Sequence, residues 1–187
     1  GAGAGVVPSG YSVYLALANK DYESRSFADM ESISGSSCGT PGFSVSESSR
    51  TVSESGSTQT FTVVLTGNPS SDVVIDVASN DTGEATVSAS SLTFTSSNWD
   101  TAQTVTVTGI DDDVDDGDQT STVTLSVNDS SSDDNFDPLA DQTVSVTTTD
   151  NDTAGYTLSG TTASVSETGT TDTFTVVLDS EPTGNVV

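Results

Sequence analysis

From residue 42 onward, apolar side chains recur at every second position. Phe61, Val63 and Leu65 alternate with Thr62 and Val64, and Val73, Ile75 and Val77 alternate with Val74 and Asp76. Leu92 and Phe94 follow the same rule, as do Val105 and Val107, Val123, Leu125 and Val127, and Val144 and Val146. A period of two turns one face of an extended chain toward a core and the other toward water. The Thr and Val that fill these runs are β-branched and suit a pleated surface. Turn formers divide the runs: Gly67-Asn68-Pro69, Asn80-Asp81-Thr82-Gly83, Ser96-Ser97-Asn98 and Asp115-Asp116-Gly117-Asp118. About six or seven short strands in about 110 residues, with no helical period among them, predict an all-β fold, an antiparallel immunoglobulin-like β-sandwich.

Residues 1–41 are of a different kind. Tyr11, Val13, Leu15 and Leu17 alternate and predict one strand, Asp21–Ile33 reads as a short helix, and Ser34–Gly42 has the composition of a linker. This segment is expected to be an arm, a cap or the tail of a preceding domain. Its start lacks the basic and apolar regions of an intact signal peptide.

The strand pattern is itself repeated. Residues 42–74 and 155–187 align without a gap at an offset of 113, with 16 identities in 33 positions that include Val-Ser-Glu and Thr-Phe-Thr-Val-Val-Leu. The expected organisation is an arm and linker over 1–41, one β-sandwich repeat over 42–154, and the opening strands of a second over 155–187. Such a chain reads as part of a longer tandem array.

Charge narrows the chemistry. The 187 residues hold 28 Asp and Glu against 3 Lys and Arg, no His and one Cys, for a net charge of −25. That excess repels nucleic-acid phosphates and anionic membrane surfaces, and no segment approaches the roughly 18 apolar residues of a membrane helix. Without His there is no Ser-His-Asp or Cys-His site, and with Cys38 alone there is no intrachain disulfide or multi-Cys metal site. Oxygen-rich acidic chemistry remains, which suits hard cations such as calcium. No positive side chain follows Arg50, whereas only Asp21, Glu23, Asp29, Glu31 and Glu47 of the acids precede it.

The acids are also focused. Asp111, Asp112, Asp113, Asp115, Asp116 and Asp118 fall in one connection between two strands, and Asp150-Asn151-Asp152 closes the repeat. One reading is a solvated acidic loop. The other is a cation site, because like charges held on one loop repel unless a cation binds. In a seven-stranded sandwich this loop, the end of the last strand and the turn holding Glu54 share one end, at the junction between repeats. Six to eight oxygens at roughly 2.3–2.6 Å, the need of calcium, are in adequate supply there.

Four elements in this order resemble the Calx-beta family of calcium-binding β-sandwiches: Val52-Ser-Glu-Ser-Gly56, the Thr60–Leu65 strand, Thr108–Asp118, and Thr147–Leu158. The resemblance covers residues 42–187. It implies calcium ligands at Glu54, Asp111, Asp112, Asp113, Asp115, Asp116, Asp118, Asp150 and Asp152, with Glu167 as the opening Glu of the next repeat. The chain departs from the family pattern at Thr82-Gly-Glu-Ala-Thr-Val-Ser88, where the family carries Gly-x-Asp-Tyr with an acidic ligand. It departs again at Asp-Asn-Asp, where a third acid is usual. Fewer carboxylates imply looser binding.

The expected function is structural rather than enzymatic. The chain reads as an extracellular, cell-surface repeat of an adhesin, stalk or filament, with neighbouring repeats or identical subunits as partners and calcium stiffening the junctions. Strand exchange between chains into a surface filament is the alternative, because two strands alone are marginal in water. A carbohydrate-binding module is disfavoured by the low aromatic content of 6%. Asn80, Asn128 and Asn151 fit the glycosylation sequon, a pattern frequent by chance in so Ser/Thr-rich a chain. Trp99 and Phe136 are expected to pack in the core or at its edge.

Overall fold

The computed structural model describes residues 39–187; the strand expected at Tyr11–Leu17, the helix expected at Asp21–Ile33 and Cys38 lie outside them. Between residues 43 and 149 the alternating segments form β1 (Phe43–Val45), β2 (Ser49–Ser53), β3 (Thr58–Leu65), β4 (Val73–Ser79), β5 (Ala85–Val87), β6 (Ser91–Phe94), β7 (Gln103–Gly109), β8 (Gln119–Val127) and β9 (Gln142–Thr149). They build two sheets, one in the order β1-β3-β7-β5 and the other β2-β9-β8-β4-β6. Phe61, Val63, Val105 and Val107 of the first sheet share one core with Ile75, Val123, Leu125, Val144 and Val146 of the second. Each such side chain contributes roughly 1.5–3 kcal/mol by leaving water. The intervening Thr and Ser stay partly exposed, so β3 and β8 carry the strict in-and-out rhythm their sequence predicts. Phe136 is buried and Trp99 packs half-buried against the same core.

The segments β1 and β2 form one path broken by a bend at Ser46–Ser48, and β5 and β6 are likewise divided at Ser88–Ser90. Nine strands therefore make the seven passes of the expected sandwich. Asp129–Ser131 adds a single 3-10 turn.

One pairing corrects the antiparallel expectation. At the bend the chain leaves the first sheet, where β1 lies antiparallel to β3, and enters the second, where β2 runs parallel to β9 from Ser49↔Ser145 to Ser53↔Thr149. The crossing does not reverse the chain, and β9 already runs that way. Arg50 ties this edge strand back to the first sheet: its Nε donates to the Thr60 carbonyl at 2.7 Å and its guanidinium lies 3.4 Å from Glu47. Because the pair is parallel, β2 and β9 finish side by side. The Glu54 amide donates to the Thr149 carbonyl at 3.2 Å, so Glu54 and Asp150 leave the sheet together.

Residues 155–187 form a two-stranded hairpin of β10 (Tyr156–Leu158) and β11 (Val176–Leu178). Its register, Tyr156↔Leu178, Thr157↔Val177 and Leu158↔Val176, is that of β1 and β3, Phe43↔Leu65, Ser44↔Val64 and Val45↔Val63, moved by the repeat length.

Candidate metal centre

Four connections meet at the end of the sandwich where β2 and β9 finish: the turn after β2, the β4–β5 turn, the β7–β8 loop and the segment after β9. Gly109 allows the approach. A Cβ there would overlap the Ser53 carbonyl group and Val52 Cγ2, so the end of β7 lies directly against the end of β2. Gly117, at φ 76°, makes the left-handed turn that returns the acidic loop toward β8.

Carboxylate oxygens of Glu54, Asp150 and Asp152 lie within 4.8 Å of one another. Glu54 is only 1% exposed, and its Oε2 accepts the Asn151 amide at 3.1 Å. Asp150 is held from both sides: Oδ2 accepts the Gly117 amide at 2.6 Å and Oδ1 the Asp152 amide at 2.7 Å. Those two N–H groups hold its carboxyl below the usual carboxylate range. Desolvation pushes Glu54 and Asp152 the other way, aided by the acids around them. Asp152 Oδ2 is buried without a hydrogen-bond partner.

The acidic loop closes over this trio. Asp111 Oδ1 accepts the Asn151 side-chain amide at 2.9 Å, Asp118 Oδ1 the Asp150 amide at 3.2 Å, and Asp115 Oδ2 the Ala154 amide at 2.6 Å. Asp112 turns inward on its own loop, accepting the Val114 amide at 2.8 Å, while its charge and that of Asp116 still bear on Glu54. The Asp113 backbone carbonyl accepts the Glu181 amide, which fastens the loop to the segment after β11. Of the ligands expected in the first repeat, only Glu54, Asp150 and Asp152 bring carboxylates within 4.8 Å of one another, while Asp111, Asp112, Asp113, Asp115, Asp116 and Asp118 stay exposed on the loop beside them. Glu167 does not join them. It opens a turn of the same form as the one Glu54 opens, and stays exposed there.

Glu84 is a further member outside the family motif. It stands just before β5, where its carbonyl accepts the Ile110 amide at 2.9 Å and the Thr148 hydroxyl at 3.2 Å. Its Oε2 is buried without a partner. Its pKa is pushed up by desolvation first, then by Asp116, Asp81, Glu54 and Asp112. The one signal in the sequence was an acid, Glu84, directly after the turn-forming Asn80-Asp81-Thr82-Gly83.

The donor set fits a hard divalent cation. Every side-chain donor is a carboxylate, two buried oxygens have no proton donor, and the only cationic side chain among the described residues, Arg50, is engaged with Glu47 and Thr60. Transition-metal chemistry has no nitrogen or sulfur ligand here.

No family model matches the chain, and no curated protein matches it. Among solved structures it is similar to the E. coli chaperone DraB, at 5% identity and a TM-score of 0.42, covering 58% of this chain and 54% of that one. It is similar to domains 4 and 5 of the S-layer protein SbsC, at 23% identity and a TM-score of 0.38, covering 59% of this chain and 54% of that one. It is also similar to a PapD-like domain of human CEP192, at 11% identity and a TM-score of 0.45, covering 74% of this chain and 96% of that one. The chain spans about half the length of the chaperone and of the S-layer structure. The strand order and shared core described above, rather than these likenesses, establish the immunoglobulin-like β-sandwich.

Proposed function

We propose that this chain is a structural repeat module of an extracellular surface protein, of Calx-beta type, whose junction is stiffened by calcium. Glu54, Asp150 and Asp152 form the centre of the site, Glu84 and the carboxylates of Asp111–Asp118 complete it, and neighbouring repeats or identical subunits are the partners. The observation that carries the reading is the trio of carboxylates within 4.8 Å at the end of the sandwich. One oxygen of the trio, Asp152 Oδ2, and Oε2 of Glu84 are buried with no partner. Three clustered, desolvated carboxylates repel one another, and a divalent cation turns that cost into binding energy.

The cation also bears on the junction. Asp115 holds the Ala154 amide and Asp113 the Glu181 amide, so the loop that closes over the carboxylates is the loop that touches the second repeat. Millimolar calcium outside cells fills sites in the range of roughly 10⁻⁴–10⁻³ M typical of extracellular modules. A surface location accords with the acidic, Ser/Thr-rich composition.

Calorimetric titration with calcium tests the reading. Saturable binding is expected, together with a rise in melting temperature that a chelator reverses. Glu54→Gln should weaken binding by about tenfold or more, by removing a central ligand. In chelator the same variant should melt at or above the parent, because it relieves one desolvated charge. A melting temperature indifferent to calcium in the parent chain overturns the proposal.

A further inference from the structure

The connection between β8 and β9 holds the one Asp-Pro bond of the chain: of five prolines, only Pro138 follows an aspartate. Asp137 and Pro138 are the two inner residues of a turn closed by the Leu139 amide, which donates to the Phe136 carbonyl at 3.1 Å. Phe136 anchors that turn in the core, and its own amide donates to the Asp133 carbonyl at 2.8 Å. Pro138 stands exposed, so water reaches the bond from one side. On the other side, Oδ1 of Asp137 is buried with no hydrogen-bond partner. Desolvation pushes this carboxyl up, and the charges of Asp129, Asp134 and Asp133 on the same connection push it further. The neighbouring elements bring no cation. The β3–β4 turn presents Ser70 and Ser71, which engage Asp133, and β4 presents Asp76, which accepts the Asn128 side-chain amide at 2.9 Å.

We propose that the Asp137–Pro138 bond cleaves itself in mild acid, with the Asp137 carboxyl as nucleophile and proton donor and water as the only co-reactant. A carboxyl oxygen of Asp137 attacks the carbonyl carbon of its own residue, closing a five-membered cyclic anhydride. The bond from that carbon to the Pro138 nitrogen breaks. The proton of the acid passes to this nitrogen, which leaves as a secondary amine. Water then opens the anhydride and restores the side-chain carboxyl beside a new α-carboxyl. In sum, one peptide bond and one water become one acid and one amine. The competing ring closure, attack of the next backbone nitrogen on the side chain, is closed because Pro138 has no N–H. The reacting form is the neutral acid, which a desolvated carboxyl without a donor favours. The two products stay together in the fold, since β9 remains paired with β8 from Gln119↔Thr148 to Leu125↔Gln142 and with β2. Asp150, Asp152 and the second repeat are then held to β1–β8 by strand pairing alone.

Intact-mass spectrometry of the full chain, held about one pH unit above the ordinary Asp value of 3.8 and separated in denaturant before injection, tests this. Two fragments are expected, one ending at Asp137 and one beginning at Pro138, with masses that sum to the parent plus one water. Chelator in every sample keeps the cation site out of the reaction. The folded chain should cleave about tenfold faster or more than the same chain in urea at the same pH, because the fold fixes the carboxyl and the bond it attacks. Asp137→Ala and Pro138→Ala should each slow the break by a similar factor or abolish it. Asp137→Glu keeps the acid but must close a six-membered ring, and should do the same. Glu181-Pro182, which faces that larger ring in the parent, should stay intact. The proposal is overturned if the folded chain shows no break at this bond, or if Asp137→Ala breaks there at the parent rate. It is equally overturned if the chain in urea cleaves as fast as the folded one, which would reduce the reaction to the general acid lability of Asp-Pro bonds.

Discussion

Two buried acids at opposite ends of the sandwich show how the same side-chain type takes opposite roles. Glu54 has one amide and several carboxylates around it, and burial raises its pKa. Asp133, 4% exposed, is met by five hydrogen-bond donors. Its Oδ2 accepts the Ser70 amide at 2.6 Å, the Ser70 hydroxyl at 2.7 Å and the Ser71 amide at 3.3 Å, and its Oδ1 accepts the Asn135 amide at 3.0 Å and side chain at 2.7 Å. The Ser70 hydroxyl first, then the Asn135 amide, hold its carboxyl well below the usual carboxylate range. It clasps the β3–β4 turn to the β8–β9 connection. Asp133→Ala should cost about 3 kcal/mol in urea unfolding at neutral pH, the order expected for charged hydrogen bonds lost with their donors stranded. Because the folded pKa is depressed, the unfolded chain binds protons first. The parent's advantage over Asp133→Asn is therefore constant above its ordinary value of 3.8 and shrinks as pH falls below it. Calcium binding, at the far end, should be unchanged in both variants. No motif marks Asp133 in the sequence; an acid within Ser-Asp-Asp-Asn reads as solvated, and only the turn 63 residues earlier in the chain gives it its role.

At the scale of elements, the period of two was legible because each strand buries one face, and a residue's neighbours two places away report that directly. The runs around Phe61, Ile75, Val105, Leu125 and Val146 all became strands with those side chains inside. Alternation carries no record of which strand lies alongside or in which direction, so the parallel β2–β9 pair was not readable. The breaks in the β1–β2 and β5–β6 paths fall at Ser-rich bends that resemble many other Ser-rich stretches in this chain. The acids that meet at the end of β2 and β9 were legible in order along the chain. Glu84 escaped that order because its place depends on the turn before β5 folding under the β7–β8 loop, where the Ile110 amide meets its carbonyl. The parallel pair also sets an element-scale expectation. Gly109→Ala forces β7 away from the end of β2, and should cost about 1–3 kcal/mol as overpacking does. Since Glu54 follows β2 directly, the same variant should weaken calcium binding in calorimetry without touching a carboxylate.

For the whole molecule, a charge of −25 with three basic side chains makes self-repulsion a standing load on the folded state. Monovalent salt screens it, with a Debye length of about 10 Å at 0.1 M. Raising NaCl from low ionic strength should lift the melting temperature gradually and without saturation. Calcium should lift it further at matched ionic strength and then level off, because it fills a site rather than a field; equal effects of the two salts at matched ionic strength would reduce calcium to screening. The scarcity of positive side chains has another outcome, apart from electrostatics. Proteases of the trypsin type need Lys or Arg before the bond they cut, and the last such residue is Arg50. Arg50 sits inside the β2–β9 ladder with its guanidinium held by Thr60 and Glu47. Every peptide bond from Thr51 to Val187 is thus closed to that whole class of enzymes, folded or not, and among the described residues the one bond that is open in principle, after Arg50, is shielded by the edge strand it belongs to.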